Sequence, residues 1–137
     1  MLLSLHAGAT LAMVGLIWFV QVVHYPLFQL VDSPAFVPYE NAHTRRTSWV
    51  VGPFMAVEGV TALLLFALTP DGVGRPVAFA GLVLLAIIHG STVMLQVPAH
   101  RSLSVAWNEQ VAQRLVSTNW IRTVGWSARG ILALAIL

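Results

Sequence analysis

The sequence predicts an all-α integral membrane protein, a bundle of four transmembrane helices forming one domain over residues 1–137. Three observations carry this expectation. Hydrophobic residues make up 58% of the chain and charged residues only 9%, where soluble domains carry about 25% charged residues. A soluble fold of this size would have to cover a large surface with polar groups that this chain lacks. Four apolar segments reach, or come near, the roughly 20 residues that a helix needs to cross hydrocarbon. The basic residues, all seven of them arginine, are unevenly spread between the segments that join these runs.

The first helix is expected over Leu3–Val23. It has no basic residues ahead of it, and its apolar run is longer than that of a signal peptide, so it reads as a retained span. The second is expected over Trp49–Leu68 and the third over Val77–Val97. Between them Thr69 to Arg75 (TPDGVGR) is a tight turn built on Pro70, Asp71 and Gly72. The fourth, Trp120–Leu137, is the shortest and carries Arg129. Two longer connections remain. His24 to Ser48 interleaves aromatic and polar residues, which suits an interfacial segment. In Pro98 to Asn119, the residues Leu103, Val105, Ala106, Val111 and Leu115 suit one side of a short amphipathic helix.

Arginine bias sets the orientation. Arg45, Arg46, Arg101 and Arg114 lie in the two long connections, with Arg122 at the edge, while the tight turn has only Arg75. The long connections are therefore expected in the cytoplasm and both termini outside it, in a multi-pass protein of the cell membrane. Trp18, Tyr25, Trp49, Trp120 and Trp126 lie near the same face, as an aromatic belt does. A weak repeat points to a parallel duplication of a two-helix unit. Gln21-Val22 is followed after 25 residues by Arg46-Thr47-Ser48-Trp49, and Gln96-Val97-Pro98 after 26 by Arg122-Thr123-Val124-Gly125-Trp126.

The chemistry that composition excludes is clear. A formal charge of +2 is too small for a nucleic-acid-binding chain. With no cysteine there is no disulfide framework, thiolate metal site or covalently attached c-type haem. There remain the polar residues at membrane depth, which are costly there and mark packing or function. Glu58, His89 and Arg129 each sit eight to ten residues in from the arginine-rich side, about 12–16 Å deep at helical rise. Glu58 and Arg129 have the signs of an ion pair. On the third helix His89, Thr92, Gln96 and His100 recur at spacings of three and four, which stacks them on one stripe. Gln21 and His24 close the first helix, Asn119 and Arg122 open the fourth, and the first connection adds Tyr25, Glu40, His43, Arg45 and Arg46. These residues predict a polar pocket in the cytoplasmic half. The expected catalytic groups are His89, Glu58, Arg129 and Arg122, and the expected ligand-binding groups are Gln21, His24, His43, Gln96, His100 and Asn119. A structural ion pair and a packing stripe are the competing reading.

His24, His43, His89, His100, Glu40 and Glu58 are candidate metal ligands, since imidazole suits iron, copper and zinc. The sequence is read as holding no H-x-x-x-H or E-x-x-H pair, so no spacing forces a site. His89 and His100 are eleven residues apart, about 16 Å along a helix, so a metal or b-type haem would need ligands from different helices. The sequence names no cofactor.

Val97-Pro98-Ala99-His100-Arg101-Ser102-Leu103 and Asn119-Trp120-Ile121-Arg122-Thr123 together resemble the DUF1772 or anthrone-oxygenase-like family of four-helix membrane proteins. That family ends its third helix with V-P-x-N-x-x-L and opens its fourth with N-x-x-R-T. His100 departs from the pattern, standing where the family usually has asparagine. The His24–Phe28 and His43–Glu58 elements look like a distinct, uncharacterised bacterial branch. The resemblance implies oxygenation of polycyclic phenols without a bound metal or flavin. His89 or His24 would then serve as base, and Arg122 or Arg129 would hold the developing anion. The function expected from the whole sequence is an oxidoreductase or oxygenase acting on an apolar, aromatic or quinone-like molecule. The alternative is a non-catalytic subunit or a lipid- or haem-binding scaffold. The partners expected are the bilayer and a small apolar ligand. A transport role would require a homo-oligomer, because four helices make a narrow bundle.

Overall fold

A computed structural model describes the backbone of all 137 residues and every side chain except that of Ser33. The chain is helical throughout, with short turns. α1 (Leu2–Phe19) runs on through a π turn (Val20–His24) and a 3-10 turn (Pro26–Leu30). α2 (Ser33–Leu68) comes next, then α3 (Arg75–Ser91), a second π turn (Thr92–Gln96) and α4 (Val97–Leu103), which continue one another as a single rod. α5 (Glu109–Ala135) closes the chain.

Three rods, Leu2–Leu30, Pro34–Leu68 and Arg75–Leu103, are long and apolar enough to cross a membrane. α5 has 27 residues, but Arg114, Arg122 and Arg129 interrupt its apolar run. These helices overrun the expected spans. The segment from His24 to Ser48 is not a separate connection between helices: from Ser33 onward it is the first part of α2. The physical reason lies in its periodicity. Phe36 and Glu40 are buried, and His43 and Thr47 partly so, at spacings of four, three and four, which marks one helix face turned inward. Hydropathy alone ends the helix where the apolar composition ends. The second connection is corrected likewise. Leu103 and Leu115 are buried, but Val105 and Ala106 are exposed in the turn before α5, so the five residues do not share one face.

Local rules account for the ends. Asn108 caps α5, its side chain accepting from the Val111 N–H at 3.0 Å. Gly72 takes φ 86° in the turn before α3, where only glycine is unstrained. Each π turn lies beside a proline, Pro26 or Pro98. A proline ring clashes with the carbonyl four residues back in an α-helix. In the first π turn the bond steps to five residues, from Tyr25 N–H to Val20 O at 3.0 Å.

α1 packs on α2 and on α5, α3 packs on α5, and α2 meets α3 along a sparser seam. Two apolar cores fill the bundle. One is Met13, Ile17, Ile88 and Trp126. The other, towards the arginine-rich end, is Tyr25, Phe28, Phe36, Leu103, Ala112 and Leu115. Glycines let α5 come close: a Cβ at Gly125 would lie 2.7 Å from Ile88 Cγ1, and one at Gly130 would lie 3.0 Å from Val14 Cγ2. Small residues at such crossings are the usual means of close helix packing in membranes.

Candidate functional site

Two polar systems lie inside the bundle, and they differ in kind. The deeper one centres on Glu58. Arg129 Nε donates to Glu58 Oε1 at 2.7 Å and Thr10 Oγ1 donates to the same oxygen at 3.0 Å. Trp126 Nε1 donates to Oε2 at 2.9 Å. Arg129 Nη1 also donates to the Gly81 carbonyl. Both residues of the ion pair are buried. Each oxygen of the carboxylate is thus occupied, by partners from α1 and α5, and Arg129 reaches α3. This ties four helices together.

The second system borders a cavity of about 590 Å³, within the size range of small-molecule sites. Met13, Ile17, Val51 and Met55 line its apolar end. Tyr25, His43, Gln96, His100 and Arg122 line its polar end. Gly52 of α2 and Val97 of α4 also border it, beside the sparse seam between α2 and the third rod.

A chain of bonds runs through the polar end. Glu40, fully buried, accepts from His100 Nδ1 at 2.5 Å. On the other side of the ring, His100 Nε2 lies 2.9 Å from the Tyr25 hydroxyl. A buried carboxylate that accepts from one ring nitrogen fixes the tautomer and orients the other nitrogen. His43 adds a third ring, its Nδ1 lying 2.7 Å from His24 Nε2.

Arg122 is held differently. Its Nη1 donates to Asn119 Oδ1 at 3.1 Å, and Asn119 Nδ2 donates to Gln21 Oε1 at 2.9 Å. Its guanidinium carbon lies 5.3 Å from the centre of the Trp126 ring. It is 8% exposed, yet among the described residues no carboxylate pairs with it, and Nε has no partner. Gln96 likewise donates through Nε2 to Thr118 Oγ1 at 2.9 Å while its buried Oε1 has none. Burying a cation without a counter-charge is costly.

The expected site residues divide accordingly. His43, Gln96, His100 and Arg122 meet at the cavity. His24 stands behind His43, and Gln21 and Asn119 stand behind Arg122. Glu58 and Arg129 pair as expected but do not line the cavity. His89 does not line it either, and its Nδ1 bonds the Leu85 carbonyl of its own helix at 3.0 Å. The stripe is corrected by the π turn. An α-helix would stack residues 89 and 96 nearly in line, but the wider turn at Thr92–Gln96 rotates the remainder of the rod away from His89. Thr92, Gln96 and His100 stay on the cavity. Tyr25 and Glu40 belong to the pocket as expected, but neither is among the expected catalytic or ligand-binding groups, and Glu40 is expected only as a candidate metal ligand. Glu40-Asn41-Ala42-His43 is an E-x-x-H pair, which corrects the reading that the chain holds none; it is the signal for Glu40, and no spacing points to Tyr25.

Compared with known protein families, with curated proteins and with solved structures, the chain matches none.

Proposed function

We propose that this chain is a four-span protein of the cell membrane that binds an amphipathic aromatic or quinone-like molecule in the cavity and exchanges a proton with its polar head. The observation that carries the reading is Arg122: a buried guanidinium with no carboxylate partner, at the polar end of a cavity whose other end is apolar. An anionic or electron-rich oxygen of a ligand would supply the missing counter-charge. The Glu40–His100–Tyr25 chain supplies acid–base chemistry: Tyr25 gives or takes a proton at the cavity wall, His100 relays it and Glu40 stabilises the charged imidazole. Oxygenation of the kind that the resemblance to anthrone oxygenases implies would use this relay to make the phenolate and Arg122 to hold it.

The membrane reading extends to α5. Trp120, Val124, Ile131 and Leu134 are exposed along it, an apolar face suited to lipid, while Arg122 and Arg129 are buried. Trp18, Trp49 and Trp120 are exposed too, as interfacial tryptophans are. With Arg45, Arg46, Arg101 and Arg114 exposed beyond them, the long end of the bundle lies in the cytoplasm.

The test is binding of a naphthoquinone or naphthol probe to protein in detergent, read by tryptophan fluorescence. Saturation at one probe per chain is expected. Arg122→Met should weaken it about 10–100-fold, the loss of one charge-assisted bond of roughly 1.5–3 kcal/mol. Val51→Phe, which fills the apolar end, should abolish it. No saturable binding, or none that these variants alter, would leave the scaffold reading in its place.

A further inference from the structure

We propose that Glu40, His43 and His100 form a binding site for one divalent first-row metal ion, zinc or iron(II), at the polar end of the cavity. One ligand atom from each of the three lies within 4.8 Å of the others. Two imidazoles and one carboxylate are a donor set of catalytic zinc and of non-haem iron sites. The E-x-x-H pair places Glu40 and His43 on one face of α2, as in the metal-binding helices of carboxylate-bridged bundles, and His100 comes from α4 opposite.

Two further observations point to a cation. Glu40 is fully buried, and its Oε2 has no partner. A buried carboxylate with half its acceptor capacity unused is costly, and a cation satisfies both oxygens. The rings also crowd: His43 lies with its centroid 4.3 Å from that of His24 and 5.5 Å from that of His100. A proton between His24 and His43, and another between His100 and Glu40, hold these groups at 2.7 and 2.5 Å. A divalent ion would replace the second proton and draw in His43; His100 Nε2 would then donate to the Tyr25 oxygen, and the proton relay through His100 belongs to the ion-free protein. Each ligating histidine then keeps a partner for its other ring nitrogen: His24 for His43, and the Tyr25 oxygen for His100. Metal-bound imidazoles are held in this way. His43 and His100 both line the cavity, so an open coordination position faces the bound molecule. This last point rests on the cavity reading; the ion itself does not.

The experiment is elemental analysis of the full chain, purified in detergent from cells supplied with zinc, iron and manganese, then chelation and titration with cobalt(II). One ion per chain is expected, with the visible spectrum of four- or five-coordinate cobalt. Glu40→Gln, His43→Ala and His100→Ala should each lose the stoichiometric ion, and His24→Ala should weaken affinity about 10–100-fold. His89→Gln, which alters a histidine outside the cavity, should change nothing. A wild-type protein with no ion and only the weak spectrum of hydrated cobalt overturns the proposal, and so does equal metal in wild type and all three ligand variants. Should a ligand variant fail to fold, the wild-type cobalt spectrum still decides. Naphthoquinone binding is read separately, so absence of the ion with the aromatic retained would remove the metal site and leave the cavity reading intact.

Discussion

At the scale of single residues the bundle separates charge that holds it together from charge that awaits a partner. Glu58 and Arg129 belong to the first kind. Glu58→Gln alone should destabilise the protein by about 3–5 kcal/mol, because Arg129 is left buried and uncompensated. Glu58→Gln with Arg129→Met should recover most of that loss, since the pair is removed together. Thermal unfolding in detergent, arranged as a double-mutant cycle, measures the coupling; additive losses would argue against the pair. Arg122 belongs to the second kind. Its hydrogen bonds run to Asn119 and on to Gln21, so neutral groups orient it and none neutralises it. Asn119→Ala should therefore impair probe binding through loss of that orientation, while His89→Ala should leave binding unchanged. A His89 variant that folds normally and fails to bind would restore the stripe as the functional face.

At the scale of elements, the two halves of the chain take one path. Each is a long rod with a π turn, a short turn and a second long helix, and in each the π turn carries a buried glutamine, Gln21 or Gln96. The repeat seen in the sequence does not extend to environment. Trp49 is 75% exposed, whereas Trp126 is fully buried and bonded to Glu58. The halves thus differ where α5 enters the core. Gly125 is the contact that permits this, with Ile88 filling the place of a side chain. Gly125→Ala should cost about 1–3 kcal/mol by overpacking. Shortening Ile88 to Ala in the same protein should relieve part of it, and unfolding midpoints of the single and double variants would show the coupling. If Gly125→Ala is neutral by itself, the close approach of α3 and α5 is not a determinant of stability.

At the scale of the whole molecule, length is the informative quantity. α2 has 36 residues, about 54 Å of helix, against a hydrocarbon core of about 30 Å. A helix of that length standing across a bilayer extends well beyond the hydrocarbon. The end that carries Arg45, Arg46, Arg101 and Arg114 also holds the cavity's polar end, from residues near Tyr25, Glu40, His43 and His100, and on the proposed reading the excess sits there. A membrane-embedded apolar end and a water-side polar end would then share one cavity, which suits an amphipathic ligand. We expect C-terminal reporter fusions to show a C-terminus outside the cytoplasm, and a cysteine introduced at Asp71 to be labelled from outside. Labelling of that cysteine only after permeabilisation would invert the protein and put the polar end outside.

The helical class of the fold, its membrane character and most of its polar inventory are legible in the linear chain. Hydropathy and arginine bias depend on composition summed over some 20 residues, and such sums need no tertiary knowledge. The Glu58–Arg129 pair is legible for a similar reason: opposite charges at equal depth in an apolar bundle have few other ways to be satisfied. Which polar residues share a space is settled by packing alone. The π turn at Thr92–Gln96 moves His89 off the face where an α-helical period places it. The extension of α2 back to Ser33 brings Glu40 and His43 opposite His100. Neither is visible in hydropathy, because a helix that outruns its apolar stretch keeps its period after it has lost that composition.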